Sequence, residues 1–119
     1  MARILVADDD PDILNIVSMS LEAMGHEVIK ATNGREAVAL AMSSAPQLVV
    51  MDLMMPEMNG YEATAALKAD PETAGIPVLA LTAKAMRGDE ERGRQAGVDA
   101  YLTKPFRISQ VIEMVDQFL

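Results

Sequence analysis

Gln47-Leu48-Val49-Val50-Met51-Asp52 is the stretch on which the fold turns. Five residues without a charge end in a carboxylate, and Leu53-Met54-Met55-Pro56 follow. A central strand cannot run past Pro56, because proline has no N–H to give to a ladder. The segment therefore reads as a short buried strand with an acid at its C-terminal tip. In parallel α/β sheets that tip is where ligands bind. Alone, Asp52 would merely start a loop. The ends of the other strands give it company.

Upstream, Arg3-Ile4-Leu5-Val6-Ala7 does not alternate and is predicted to be a fully buried strand. It runs into Asp8-Asp9-Asp10-Pro11. Proline suits the first helical position and the acid before it suits the N-cap. Asp10 thus has a structural role, and Asp8 and Asp9 are left without one. Ile13, Ile16, Val17, Leu21 and Met24 recur at helical spacing as the predicted inner face of a first helix, which Gly25 ends. His26, the only histidine, is expected to be a solvated turn residue, not a ligand or base. Glu27-Val28-Ile29-Lys30-Ala31 is more polar, as an edge strand should be. Asn33-Gly34 turns the chain into a second helix with Ala37, Val38, Leu40 and Ala41 inside, and Pro46 closes that unit.

Downstream, Asn59-Gly60 opens a third helix, with Glu62 where a capping-box acid belongs. Asp70-Pro71-Glu72-Thr73-Ala74-Gly75 is a polar loop. Pro77 then opens the strand Val78-Leu79-Ala80-Leu81, which ends in Thr82-Ala83. Residues 87–94 mix acids and arginines as an exposed face of a fourth helix laced with i,i+4 pairs would, and Gly97 ends it. Asp99-Ala100-Tyr101-Leu102 is the fifth strand, left through Thr103-Lys104-Pro105. Ile108, Val111, Ile112, Val115 and Phe118 form one face of a last helix. Five strands alternating with five helices imply an α/β three-layer sandwich. Right-handed crossovers and the polar second strand favour a parallel sheet of order 2-1-3-4-5, flavodoxin-like, with its switch point between strands 1 and 3.

Composition agrees with one domain spanning 1–119. Half the residues are hydrophobic but only 3% are aromatic, so the core must be aliphatic, with ten Met as gap fillers. No apolar run approaches the roughly 18 residues of a membrane span, so no membrane insertion is expected. Met1-Ala2-Arg3 leads straight into strand-like sequence, so no signal peptide is expected either. The absence of Cys excludes disulfides and thiolate metal sites and fits a cytoplasmic protein. A net charge of −8 disfavours direct nucleic-acid binding and suits a hard cation or a basic partner.

The predicted strand tips carry Asp8 and Asp9, Asp52, Thr82 and, two residues beyond strand 5, Lys104. Two like charges about 4 Å apart repel by roughly 4 kcal/mol at an effective dielectric of 20. Three carboxylates in one cleft with one lysine must therefore take up a proton or a cation. An all-oxygen site with room for water suits Mg²⁺, and such a site also takes a phosphate oxygen. The chemistry that follows is phosphoryl transfer to a carboxylate. Asp52, the central acid, is the nucleophile, and Asp8 and Asp9 hold the metal. Lys104 neutralises charge on the transferring group, and the Thr82 hydroxyl donates to it. Asp8, Asp10 and Asp12 imitate an EF-hand start, but Ile13 and Met19 stand where that loop needs Gly and Glu. An FMN site would need a phosphate cradle after strand 1, where three acids stand instead.

Leu5-Val6-Ala7-Asp8-Asp9-Asp10, Met51-Asp52-Leu53-Met54-Met55-Pro56, Asn59-Gly60, Leu81-Thr82-Ala83 and Tyr101-Leu102-Thr103-Lys104-Pro105, in this order, resemble the receiver domain of bacterial two-component response regulators over essentially the whole chain. The resemblance implies that Asp52 accepts a phosphoryl group from a phosphohistidine on a sensor histidine kinase or histidine phosphotransfer protein. It implies Mg²⁺ held by Asp8, Asp9, Asp52 and the backbone carbonyl of Met54. It also implies that Thr82 shifts toward the phosphoryl group, Tyr101 turns inward behind it, Lys104 pairs with it, and Lys104-Pro105 is cis. Taken alone, Tyr101 is a half-buried strand aromatic and Lys104 a solvated lysine.

The function so implied is a phosphorylation-controlled switch, not a turnover enzyme. Its output is binding to a downstream protein through the face formed by the fourth helix, fifth strand and last helix. Two alternatives stand beside it. A Mg²⁺-dependent aspartyl-phosphate phosphatase would want a second acid at position 54, where Met54 stands. A phosphate-independent interaction module would make the acids incidental.

Overall fold

Register across the sheet decides which residues meet at its C-terminal edge. The computed structural model describes residues 2–82 and 94–119. The strands are β1 (Arg3–Ala7), β2 (Glu27–Ala31), β3 (Leu48–Asp52), β4 (Val78–Thr82) and β5 (Ala100–Thr103). The helices among the described residues are α1 (Pro11–Ala23), α2 (Gly34–Ser44), α3 (Gly60–Ala69) and α4 (Ile108–Phe118), and residues 94–96 are also helical. The charged face predicted at 87–94, apart from Arg94, lies outside the described residues, as does Ala83; Gly97, predicted to end that helix, follows helical residues 94–96 with φ 101.

All strand pairs are parallel, in the order β2-β1-β3-β4-β5. This is the expected flavodoxin-like arrangement. Ala7 pairs with Met51, so the next residues, Asp8 just past β1 and Asp52 at the end of β3, stand side by side. Asp52 pairs with Leu81 and Thr82 with Thr103, which brings the remaining tips to the same edge.

Both sheet faces are covered, which is why the strands do not alternate. Ile4, Val6, Leu48, Val50, Leu79 and Leu81 meet Leu14, Val17 and Leu21 of α1 and Val111 and Val115 of α4. On the other face Leu5, Ala7, Val49, Met51 and Val78 meet Ala37 and Ala41 of α2 and Ala63 and Leu67 of α3. The helix starts follow from their caps. Asp10 accepts from the Asp12 and Ile13 amides, Asn33 caps α2, and Asn59 and Glu62 close a capping box on α3.

Four expectations are corrected. The buried stripe of α1 is Leu14, Val17, Ser18 and Leu21, while Ile16 and Met24 are each 52% exposed. Apolar residues at 13, 14, 16 and 17 allow two stripes, and Ser18 hid the true one, whose spacing is i, i+3, i+4, i+7. The methionines are not a core set: Met51 and Met55 are buried, but Met19, Met24, Met42 and Met54 are exposed. His26 is half-buried and its Nδ1 accepts a hydrogen bond from the Ala2 amide at 3.1 Å. Strand β5 starts at Ala100, because Asp99 is a clasp. Its carboxylate accepts from the Val78 amide at 2.7 Å and from Lys68 Nζ at 3.1 Å.

Candidate functional site

Asp8, Asp9 and Asp52 each place a carboxylate oxygen within 4.8 Å of the other two. Asp8 and Asp52 are buried and Asp9 is exposed. The parallel register of β1 and β3 forces this meeting, since both chains cross the sheet edge at the same level. Lys104 Nζ lies 3.3 Å from Asp8 Oδ2 and 3.3 Å from Asp52 Oδ2. One ammonium thus bridges two buried acids. It is delivered by the exit from β5, where the Lys104 amide donates to the Thr82 carbonyl at 2.6 Å and the Lys104-Pro105 bond is cis.

Burial chiefly pushes the Asp8 carboxyl up, to about 6, and the Asp52 charge adds to this. The Asp10 amide, donating to Asp8 Oδ1 at 2.9 Å, and the Lys104 ammonium pull the other way. Repulsion within the acid cluster thus reaches Asp8 through Asp52, but desolvation is the larger cause of its shift. The Asp10 amide is a contributor that sequence reasoning missed. Only the cap role of the Asp10 side chain was legible, and its N–H points at Asp8 because of the turn into α1.

Asp52 Oδ1 accepts from the Met54 amide at 3.1 Å. The loop that follows is tied down on several sides. Leu53 N–H donates to Leu81 O at 3.0 Å, and Gly60 N–H donates to Leu53 O at 3.0 Å. A Cβ at Gly60 would overlap the backbone of Asp52 and Leu53, so this glycine is required by space. The Met54 side chain stands outside, 67% exposed. Thr82, the last residue of β4, is buried beside these tips. Tyr101 is half-buried in β5 and packs with Leu53, Tyr61 and Ala80. The predicted site residues thus gather at one edge. Asp8 and Asp52 share the Lys104 ammonium, Asp9 lies within 4.8 Å of both, and Thr82 and Tyr101 are placed by strand register.

The donor set fits a small hard cation: carboxylate oxygens from two adjacent strand tips, one side open through Asp9, and a buried acid short of compensating charge. No helix among the described residues is long and apolar enough to cross a membrane.

The family profile "Response regulator receiver domain" matches residues 4–116. The polar-differentiation response regulator DivK of Brucella anthropi is 41% identical over 116 residues, 98% of this chain and 94% of that protein. The structure of the chemotaxis response regulator CheY4 of Vibrio cholerae superposes with a TM-score of 0.94 at 31% identity, covering 100% of this chain and 99% of the other. A receiver domain of a sensor histidine kinase of Pseudomonas aeruginosa, solved with a magnesium ion coordinated in the active site cleft, gives a TM-score of 0.91 at 31% identity, covering 98% and 96%.

Proposed function

From the premise that this chain belongs to the response regulator receiver domain family of two-component signalling, we propose that residues 1–119 form one receiver domain and that Asp52 is its phosphoacceptor. The observation that carries this reading is the Lys104 ammonium held against both Asp52 and Asp8 inside a three-carboxylate cluster.

An Asp52 carboxylate oxygen attacks the phosphorus of a phosphohistidine. The P–O bond forms as the P–N bond breaks, and the imidazole nitrogen keeps the electron pair and takes up a proton from solvent. The donor is a sensor histidine kinase or a histidine phosphotransfer protein. Asp8, Asp9, Asp52 and the Met54 carbonyl would hold Mg²⁺, which, when bound, supplies positive charge for the phosphoryl oxygens. Asp52 Oδ1 is held by the Met54 amide, leaving Oδ2, the oxygen facing Lys104, as the nucleophile. Lys104 then exchanges a carboxylate partner for a phosphoryl oxygen. The Thr82 hydroxyl donates to a second phosphoryl oxygen, and Tyr101 follows it inward across the neighbouring strand. The altered face, made by the fourth helix expected from the sequence, β5 and α4, is read by a downstream protein. Its edge strand β5 is half-exposed from Ala100 to Leu102.

Met54 stands where an aspartyl-phosphate phosphatase would want its second acid, which favours the switch over the enzyme. Hydride trapping tests the assignment. Borohydride reduces an acyl phosphate to an alcohol, and peptide mapping after incubation with acetyl phosphate should find homoserine at position 52. Reduction at Asp8 or Asp9 instead would reassign the nucleophile.

A further inference from the structure

The loop carrying Met54 is anchored from the side away from the acids. Gly34, the first residue of α2, donates its N–H to the Met58 carbonyl at 2.9 Å. A Cβ at Gly34 would overlap that carbonyl. Gly34 is not among the positive-φ glycines, so the position needs glycine for space and not for backbone freedom. Met58 N–H donates to Pro56 O at 2.7 Å, around Glu57 in the left-handed region at φ 65. Met55 and Met58 pack into the cluster that holds Ala37, Val38 and Ala41 of α2. At its other end the loop meets the site through the Met54 amide on Asp52 Oδ1. The short loop at 53–59 thus has one end set by the phosphoacceptor and the other by α2.

We propose that Gly34 is a positioning residue for the metal and phosphoryl site: its close contact with the Met58 carbonyl sets where the 53–59 loop lies, and with it the Met54 backbone. The proposal rests on the reading of Asp8, Asp9, Asp52 and Met54 as the Mg²⁺ ligands. A backbone carbonyl cannot be steered by its own side chain, so its position is whatever the anchors of its loop impose. Coupling between the two ends is reciprocal, so what binds at Met54 must be felt at Gly34.

Two measurements test this. The first is a Mg²⁺ titration of the ¹⁵N-labelled parent, followed by its amide resonances. The Met54 and Gly34 amides should shift with one midpoint, while Gly75, in open space at the other end of the sheet, stays still. The second is calorimetry of Mg²⁺ binding to Gly34→Ala beside Ala39→Gly, which weakens exposed α2 surface without touching the loop. Gly34→Ala should bind Mg²⁺ roughly tenfold or more weakly, and Ala39→Gly should match the parent. Equal affinities for Gly34→Ala and the parent, or equal losses in the two variants, overturn the proposal. If Gly34→Ala does not fold, the parent titration decides. A still Gly34 amide beside a shifting Met54 amide refutes the coupling. A parent with neither shift nor heat removes the metal site itself, and the proposal with it.

Discussion

Lys104 Nζ stands 3.3 Å from Asp52 Oδ2, and it is shared at the same distance with Asp8 Oδ2. The lysine side chain is 17% exposed and the two acids far less. One positive charge therefore balances two carboxylates in a largely dry cleft, with Asp9 adding a third at its rim. The arrangement is short of positive charge before any ligand arrives.

Lys104→Met should leave Asp8 and Asp52 facing each other without a cation, since no other salt bridge to either is seen among the described residues. Losing one partner of such a pair costs roughly 3 kcal/mol. Melting in EDTA near neutral pH should show that loss. Added Mg²⁺ should raise the melting temperature more in this variant than in the parent. An unchanged EDTA melt would mean that the lysine is solvated.

Asp52→Asn acts in the opposite sense. It removes one of three like charges and leaves an amide oxygen able to accept from Met54. The metal-free variant should be more stable by about 1 kcal/mol, a rise of about 4 °C for a domain of this size. The stabilisation by Mg²⁺ should shrink at the same time. A metal-free Asp52→Asn melting below the parent would contradict the clustered-acid account.

Acidity should help the metal-free fold within a defined window. Burial, with the Asp52 charge, raises the Asp8 carboxyl from 3.8 to about 6 in the folded chain. Between those values the folded state binds more protons than the unfolded one, so this group's contribution falls as pH rises. Its stabilisation is complete below about pH 4 and is lost by the time pH passes 6. The difference is about 3 kcal/mol. Denaturant midpoints in EDTA should isolate this as a term present in the parent and absent in Asp8→Asn. Protons also compete for the same oxygens, so apparent Mg²⁺ affinity should drop as pH falls through 6.

Ser18 offers a test away from the site. Its Oγ is buried in α1 with no hydrogen-bond partner among the described residues. Ser18→Ala removes an unmatched polar atom and should stabilise the fold by about 1 kcal/mol. A calorimetric melt that falls instead would show that the hydroxyl is satisfied in solution.

The strand tips were legible because each rests on covalent neighbours: an apolar run, then Asp52, Asp8 or Thr82. Sheet order followed from crossover handedness and the polarity of β2, and it brought the acids together. What escaped has a common cause. The inner stripe of α1 is chosen by α4 and the sheet, and no local pattern reveals that Ser18 goes inside and Ile16 stays out. The Asp99 clasp with Lys68, the His26 bond to Ala2 and the Gly34 contact with Met58 are long-range meetings of polar or small residues, which leave no periodic trace. Desolvation of Asp8 likewise depends on what covers it, and sequence shows only the neighbouring charges.

The central claim is best tested by intact mass after incubation with acetyl phosphate or phosphoramidate, with and without Mg²⁺, for the parent and Asp52→Asn. The expected result is a gain of one phosphoryl group in the parent only, dependent on Mg²⁺. No gain in the parent at any Mg²⁺ concentration would contradict it. The fold would then stand as a phosphate-independent binding module.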